Sequence, residues 1–274
     1  MLPISKTGID PCVARYIDEQ GTLEGKVIVD FPAGNGRFSQ RLAAKGAKVL
    51  SMDLFPQFFK AEGLECQFAD MTERLPLEDE SVDWILCQEG IEHVSDQLGL
   101  LKEFNRVLRP DGRLLITTPS CSHMRARVSN LLVESEYWKR MPPSEIESVW
   151  FSEEQSDKLY YGHLFLIPAQ KLRSLSAIAG FRIEERRYTD TSVSSLLLAI
   201  PFYPVLYLVN LLSRFFSSSK NKHVDGETKA QILAEQQAIN CSASTLLCKH
   251  LFWIFTKERN EQEVVEHLKA LTRK

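Results

Sequence analysis

The sequence predicts an α/β protein built on a mostly parallel sheet, and three observations predict it. Between residues 26 and 118 short apolar runs take turns with amphipathic stretches, the order of strands and helices in a parallel sheet. Those runs are apolar almost throughout rather than alternating, which suits strands covered by helices on both faces. Signals for helix starts and stops fall between them.

Strands are expected at 26–31 (KVIVDF), 47–53 (AKVLSMD), 66–70 (CQFAD), 82–87 (VDWILC) and 112–119 (GRLLITTP). A helix from Arg37 to Lys45 joins the first two, and Asp96 is placed to cap the free amides of a helix over 97–107. Arg109, Pro110, Asp111 and Gly112 form a turn in which proline sets one dihedral and glycine permits the next. Beyond Pro119 the pattern turns helical: one helix begins at Ser144 (SEIESVWF), and another opens at Pro168 and is closed by Gly180. Residues 181–188 and 250–258 read as two further strands, rich in aromatic and branched side chains. Asn260 and Glu263 make a capping-box pattern for a last helix within 259–274.

The stretch from Thr191 to Ser213 carries no charge and is long enough to cross a bilayer. Pro201 and Pro204 argue against one continuous helix there. A polar linker at 217–225 and a helical stretch over 226–239 follow. If 181–188 and 250–258 share a sheet, the chain returns to the side it left, which excludes a single crossing. Residues 192–247 are therefore expected to form an apolar helical insertion. It serves as a lid, as a peripheral membrane contact through 192–216, or as a subunit interface, beside the plainer reading of helices packed on their own core. Arg214, Lys220 and Lys222 follow the apolar run and suit an anionic lipid surface.

At 274 residues the chain is expected to be one domain, 1–274, carrying this insertion. Its 44% hydrophobic and 25% charged residues exclude collagenous, coiled-coil and disordered classes. A net charge of -3 and a pI of about 6.1 offer no basic field for a nucleic-acid backbone, so no polynucleotide partner is expected. Six cysteines without a CxxC pair read as free thiols in a reducing compartment. The first residues show no basic region followed by an apolar stretch, so a cytoplasmic location is expected, at the cytoplasmic face of a membrane if the insertion touches one. The oligomeric state is left open.

The chemistry begins at Val27-Ile-Val-Asp30-Phe-Pro-Ala-Gly34-Asn-Gly36-Arg-Phe-Ser, a strand entering a glycine turn and then a helix. Glycine lacks the Cβ that would collide with a ligand on the turn, and Asp53 ends the next strand with a carboxylate suited to paired hydroxyl donors. Here the chain resembles the class I S-adenosylmethionine-dependent methyltransferases. The resemblance continues in order through Leu75–Val94, Phe104–Leu114, Gly162–Phe165 and Ala179–Phe181, and resumes at His250–Lys257. It implies a Rossmann-like seven-stranded sheet with an antiparallel last strand. It also implies that Asp30, Ala33, Gly34, Gly36, Asp53, Leu54, Asp70, Met71 and Gln88 hold S-adenosyl-L-methionine. Pro32 stands where the family carries its first glycine, so the turn must be built differently. A nicotinamide-binding Rossmann turn would want GxGxxG, and only Gly34-Asn-Gly36 is present.

Glu89, Glu92 and His93 sit at i, i+3 and i+4, one face of a helical turn, suited to a divalent cation such as Mg or to acid–base work. The spacing resembles the metal-binding variant of quinone-biosynthesis and small-RNA methyltransferases, in which a later histidine completes the set, here His163. The same residues can instead anchor the loop without metal. Glu89, His93 and His163 are the catalytic candidates. His123 either faces the acceptor or is a solvated loop residue, and Tyr160 and Tyr161 line or pack the acceptor pocket. The expected reaction is O-methylation of a small-molecule or lipid-linked acceptor, such as a quinone precursor or a glycan intermediate. The alternative is a methyltransferase-like protein that holds cofactor or lipid without turnover, motivated by Pro32.

Overall fold

The computed structural model describes residues 8–137, 141–151, 158–220 and 224–272. Its strands are β1 (Val27–Asp30), β2 (Lys48–Asp53), β3 (Cys66–Phe68), β4 (Val82–Gln88), β5 (Leu108–Pro119), β6 (Val149–Phe151), β7 (Leu159–Tyr161), β8 (Phe181–Arg186) and β9 (His250–Lys257). Seven of them make one sheet in the order β3-β2-β1-β4-β5-β9-β8, and β6 pairs only with β7. Neighbours from β3 to β5 are parallel, whereas β9 runs antiparallel to both β5 and β8. This is the Rossmann-like seven-stranded sheet that the family resemblance implies.

The helices are α1 (Asp10–Glu19), α2 (Arg37–Ala43), α3 (Gln97–Val107), α4 (Met124–Val133), α5 (Ala169–Ile178), α6 (Val193–Ser218), α7 (Gly226–Asn240), α8 (Ala243–Leu247) and α9 (Glu261–Thr272). Successive strand residues point to opposite faces, and both faces are buried. Ile28, Trp84, Leu115 and Phe252 meet Tyr16, Ile17, Phe38 and Leu42 of α1 and α2. Val29, Ile85, Leu114 and Trp253 meet Leu101, Phe104 and Leu172 of α3 and α5. The sequence pattern missed α1, whose signal was Pro11 in its first turn.

Local chemistry explains the elements that match. Asp96 accepts the Gly99 amide at 2.8 Å, and Asn260 and Glu263 exchange amide bonds at 2.7 and 3.0 Å as a capping box. Gly180 takes φ +90° after α5, and a Cβ there would stand 2.1 Å from the Arg259 carbonyl oxygen.

Four expectations need correction. Residues 144–147 form a turn leading into β6 rather than a helix, because Val149, Trp150 and Phe151 favour a strand and Ile146 finds no apolar face. At the 109–112 turn it is Asp111, not glycine, that takes the left-handed region at φ +60°. Gly112 is needed for space instead, since a Cβ would lie 2.8 Å from the Arg109 carbonyl oxygen. The loop stays inside β5 as an irregularity, the register passing from Val82↔Leu108 to Trp84↔Arg113. Pro201 and Pro204 do not break the apolar stretch: α6 is one helix of 26 residues containing both. Finally, His123 is neither solvated nor turned to a ligand.

His123 is 3% exposed and caps α4: its Nδ1 accepts the Ala126 amide and lies 2.9 Å from Ser195 Oγ in the first turn of α6. Burial, followed by Arg125 and its other cationic neighbours, pushes its pKa down to about 3, so the ring is neutral and Nδ1 is free to accept. Between β8 and β9 the chain makes α6, α7 and α8, with Leu246 and Leu247 packed on Met124 and Leu206. Residues 221–223 of the expected linker, including Lys222, lie outside the described residues.

His123→Ala removes a helix cap and leaves the buried Ser195 hydroxyl short of a partner. It should lower unfolding stability by about 1–3 kcal/mol in urea titration. A midpoint equal to wild type would show that this junction carries no load.

Candidate active site

The site is built where β1, β2 and β4 end side by side. Asp30 lies beside Ser51 of β2 and Leu86 of β4 in register, which brings three strand ends within one edge of the sheet. Asp30 is buried and turned inward: Ser39 Oγ donates to its Oδ2 at 2.6 Å, and Ser51 Oγ donates to Ser39 at 2.9 Å. Its Oδ1 has no partner, and burial raises its pKa to about 7. Asp30 thus anchors α2 beneath the turn rather than lining an open space.

The turn above it starts at a cis Phe31–Pro32 peptide. Asp53 organises the rest: Oδ2 accepts the Gly34 amide and Oδ1 the Phe55 amide, both at 2.8 Å. A carboxylate offers about four acceptor positions, so two remain for hydroxyl donors. Gly34 has φ +55° and a Cβ there would meet nothing within 4 Å, an open cradle over the turn. Gly36 is required by the protein itself, since a Cβ would lie 2.6 Å from the Phe59 ring. Ala33 is buried, its amide held by the Met52 carbonyl at 2.8 Å. Gln88 turns its amide to Asp10 of α1 at 2.6 Å, and Arg37 also pairs with Asp10, so α1 closes that side.

A cavity of about 250 Å³ opens beside the turn. Asp53, Leu54, Asp70, Met71, Glu89 and His93 line it, so the structure brings these six expected residues to one space. Asp30, Ala33, Gly34, Gly36, Gln88, Glu92 and His163 are not part of its wall. Pattern reading missed Phe31, Phe55, Thr72 and Trp150, which are also on the wall; Tyr160 and Tyr161 line it as expected. Trp150 escaped because β6 was read as helix. It is shared with a larger neighbouring cavity, of about 730 Å³, that also includes His163.

One end of the cavity is closed by a cation. Lys158, preceding β7, reaches Asp70 Oδ2 at 2.7 Å and Glu73 at 2.9 Å, and Tyr160 OH donates to the same Asp70 oxygen at 3.1 Å. Burial alone would raise the Asp70 pKa, but the Lys158 and Thr72 hydrogen bonds outweigh it and hold the group below its ordinary range.

The other end is acidic and its carboxylates are largely buried. Glu89 takes φ +47°, a left-handed backbone that side chains other than glycine seldom adopt, and its Oε2 lies 3.6 Å from His250 Nε2. Glu92 is fully buried and accepts from Thr118 Oγ1 at 2.9 Å. Burial raises the pKa of both acids, and the neighbouring Glu92 carboxyl raises that of Glu89 further. Glu89 Oε1, Glu92 Oε1 and His250 Nδ1 are buried without a hydrogen-bond partner among the described residues. His250, at the first position of β9, has no motif around it and escaped the sequence pattern. His93 Nδ1 is 2.7 Å from the Tyr161 carbonyl oxygen, which fixes the proton on Nδ1 and frees Nε2. One ligand atom from each of Glu92, His93 and His163 falls within 4.8 Å of the others. Glu89 is turned from that group toward His250.

Comparison with known proteins agrees with this geometry. Residues 29–116 match the family described as a methyltransferase domain. The chain is 29% identical over 144 residues to the ubiquinone biosynthesis O-methyltransferase of Xylella fastidiosa strain M23, covering 49% of this chain and 58% of that one. Its counterpart in Aeromonas salmonicida is 30% identical over 145 residues, covering 49% and 60%. The chain therefore spans a little over half the length of these curated relatives. Among solved structures, an S-adenosylmethionine-dependent methyltransferase from Mesorhizobium loti superposes with a TM-score of 0.51 at 14% identity, covering 91% of this chain and 98% of that one. The cyclase SpnF does so at 0.50 and 14%, covering 93% and 86%. These structural likenesses show a shared fold.

Asp30 yields a pH prediction. Its folded pKa of about 7 lies above the ordinary 3.8, so the unfolded chain loses this proton while the folded chain still binds it. Wild-type stability therefore falls as pH rises from about 4 to about 7 through this group. In Asp30→Asn that loss is absent, so the variant's stability relative to wild type should rise across the window and level off above it. Urea midpoints measured across the same range check this, and a pH-independent difference refutes it.

Proposed function

We propose that this chain, a member of the class I S-adenosylmethionine-dependent methyltransferases, transfers the sulfonium methyl group to an oxygen of a small or lipid-linked acceptor. The observation that carries the reading is one cavity with Asp53 and Asp70 at one end and Glu89 and His93 at the other. The choice of oxygen follows the relatives described as ubiquinone biosynthesis O-methyltransferases, which the chain matches over half its length. A quinone precursor or a glycan intermediate fits that class.

The residues fit the cofactor on physical grounds. Asp53 keeps two acceptor positions for paired ribose hydroxyls, the open cradle over Gly34 leaves room for a ligand backbone, and Leu54, Phe55 and Met71 offer apolar faces to a flat base. Carboxylates and aromatic rings together favour a bound cation. When bound, S-adenosylmethionine supplies a methyl on a cationic sulfur whose leaving group is neutral, so the protein's task is alignment and removal of one proton. Glu89 and His250 hold that proton once it leaves the acceptor oxygen. Trp150, Tyr160 and Tyr161 wall the same space with aromatic rings.

Glu92, His93 and His163 offer a divalent cation one carboxylate and two imidazoles. The Tyr161 carbonyl orients His93, and Glu92 Oε1 has no other partner among the described residues. Such a set suits manganese or zinc better than Mg, which prefers oxygen ligands. A second reading, a protein that holds the cofactor without transfer, is favoured by Pro32 in place of the family's first glycine.

Calorimetric titration with S-adenosylmethionine should show binding that weakens about tenfold or more in Asp53→Asn; no heat at saturating ligand removes the reading. Glu89→Gln and His250→Asn should keep that binding and lose about a hundredfold in transfer of labelled methyl to a lipid extract. Binding without transfer to any extract favours the second reading. Chelation should abolish transfer, and activity unchanged by chelator eliminates the cation.

A further inference from the structure

Most of helix α6 is an apolar surface that no other described residue covers. Its 26 residues span about 39 Å at 1.5 Å per residue. The mean hydropathy of its most apolar window is 1.9, yet only 6% of that window is buried. Leu197, Ile200, Val205, Leu208, Phe215 and Phe216 are each between 56% and 71% exposed.

The distribution of these side chains decides what covers them. At roughly 100° per residue, the exposed apolar positions from Tyr203 round to Phe202 sweep an arc of roughly 260°. Among the described residues, Ser195, Leu196 and Leu198 near the start of the helix and the stripe of Ala199, Leu206 and Asn210 further along turn toward the rest of the protein, where Asn210 Oδ1 accepts from Asn240 of α7 at 2.9 Å. A neighbouring helix or a second copy covers a stripe of roughly 100°, whereas a hydrocarbon medium wets every exposed side. Charge points the same way. Between Asp190 and Asp225 the sequence has no acidic residue and carries Arg214, Lys220 and Lys222, which complements anionic headgroups. Tyr203 and Tyr207 stack with centroids 6.2 Å apart, amphipathic rings of the kind enriched at a membrane boundary.

The helix does not cross. Arg214 bonds Gln237 at 3.0 Å and Asn210 meets Asn240, so α7 returns antiparallel along α6. A crossing would carry Glu227, Lys229 and Glu235 of α7 into hydrocarbon.

We infer that α6 lies in the plane of an anionic bilayer as a monotopic anchor, with α7 above it on the aqueous side. Its first turn is bound through Ser195 to His123 and to the Arg125 amide, at 2.9 and 3.2 Å. The anchor is therefore joined to α4, directly after the β5 end of the sheet edge that carries the cavity. The inference stands whether or not that cavity transfers a methyl group.

Flotation of the full chain tests it, with vesicles of phosphatidylcholine alone and of phosphatidylcholine mixed with phosphatidylglycerol. The protein should float with the mixed vesicles and more weakly with the neutral ones. Arg214→Gln and Lys220→Gln should each reduce the bound fraction about fivefold. Ile200→Glu with Leu208→Glu, both at exposed positions, should abolish flotation while leaving the urea unfolding midpoint in place. Protein that stays unbound with both vesicle types overturns the anchor. So does a chain that sediments as a dimer through α6, dissociates in the Ile200→Glu, Leu208→Glu variant and ignores lipid. If that variant fails to fold, the two charge variants still decide the question.

Discussion

Asp53 holds two loops with one carboxylate, and the cavity exists because of that. The amides of Gly34 and Phe55 belong to the turns after β1 and after β2, and both converge on oxygens that a neutral side chain could not offer in the same number. Everything nearby presupposes this junction. Gly34 can turn left-handed over open space because its amide is satisfied from below, and Leu54 and Phe55 become cavity wall because the chain is caught as it leaves β2. Asp30, one strand over, does the complementary work inside the protein, binding α2 through Ser39 and leaving the upper surface to Asp53.

The two ends of the cavity solve their charge differently. Asp70 is neutralised by Lys158, and its charge is stabilised. Glu89 and Glu92 have no such cation among the described residues, and their buried, unpartnered oxygens make that end costly to leave charged. Groups kept at such a cost concentrate where chemistry or ligand binding occurs. The left-handed backbone of Glu89, in a residue type that seldom adopts it, belongs to the same pattern.

Much of this was readable from sequence wherever the determinant is local. The strand–turn–helix at Val27–Ser39, the Asp96 cap and the Asn260/Glu263 box each need only residues a few positions apart. Asp53 and Asp70 were found because strand ends follow from apolar runs. What the sequence hid depends on distant partners. His250 becomes part of the site only when β9 slides beside β5, and His123 is buried only because Ser195, 72 positions later, reaches it. Trp150 is carried into the helix expected from Ser144 by the polar run before it, and it becomes cavity wall through its pairing with Tyr160. Pro201 and Pro204 read as breaks, yet both lie within a continuous α6.

The placement of the insertion has a consequence for modularity. The chain leaves the sheet after Arg187, whose amide bonds the Phe252 carbonyl at 2.9 Å, and re-enters at His250 on the adjacent antiparallel strand. Departure and return points are therefore neighbours across a ladder, the arrangement that a short hairpin loop would close with no change in register. Three helices, α6 to α8, hang from what is topologically a hairpin connection. Such a segment can be exchanged, lengthened or lost while the strands beneath it keep their partners, so that one scaffold can be addressed to different surroundings by swapping a cassette.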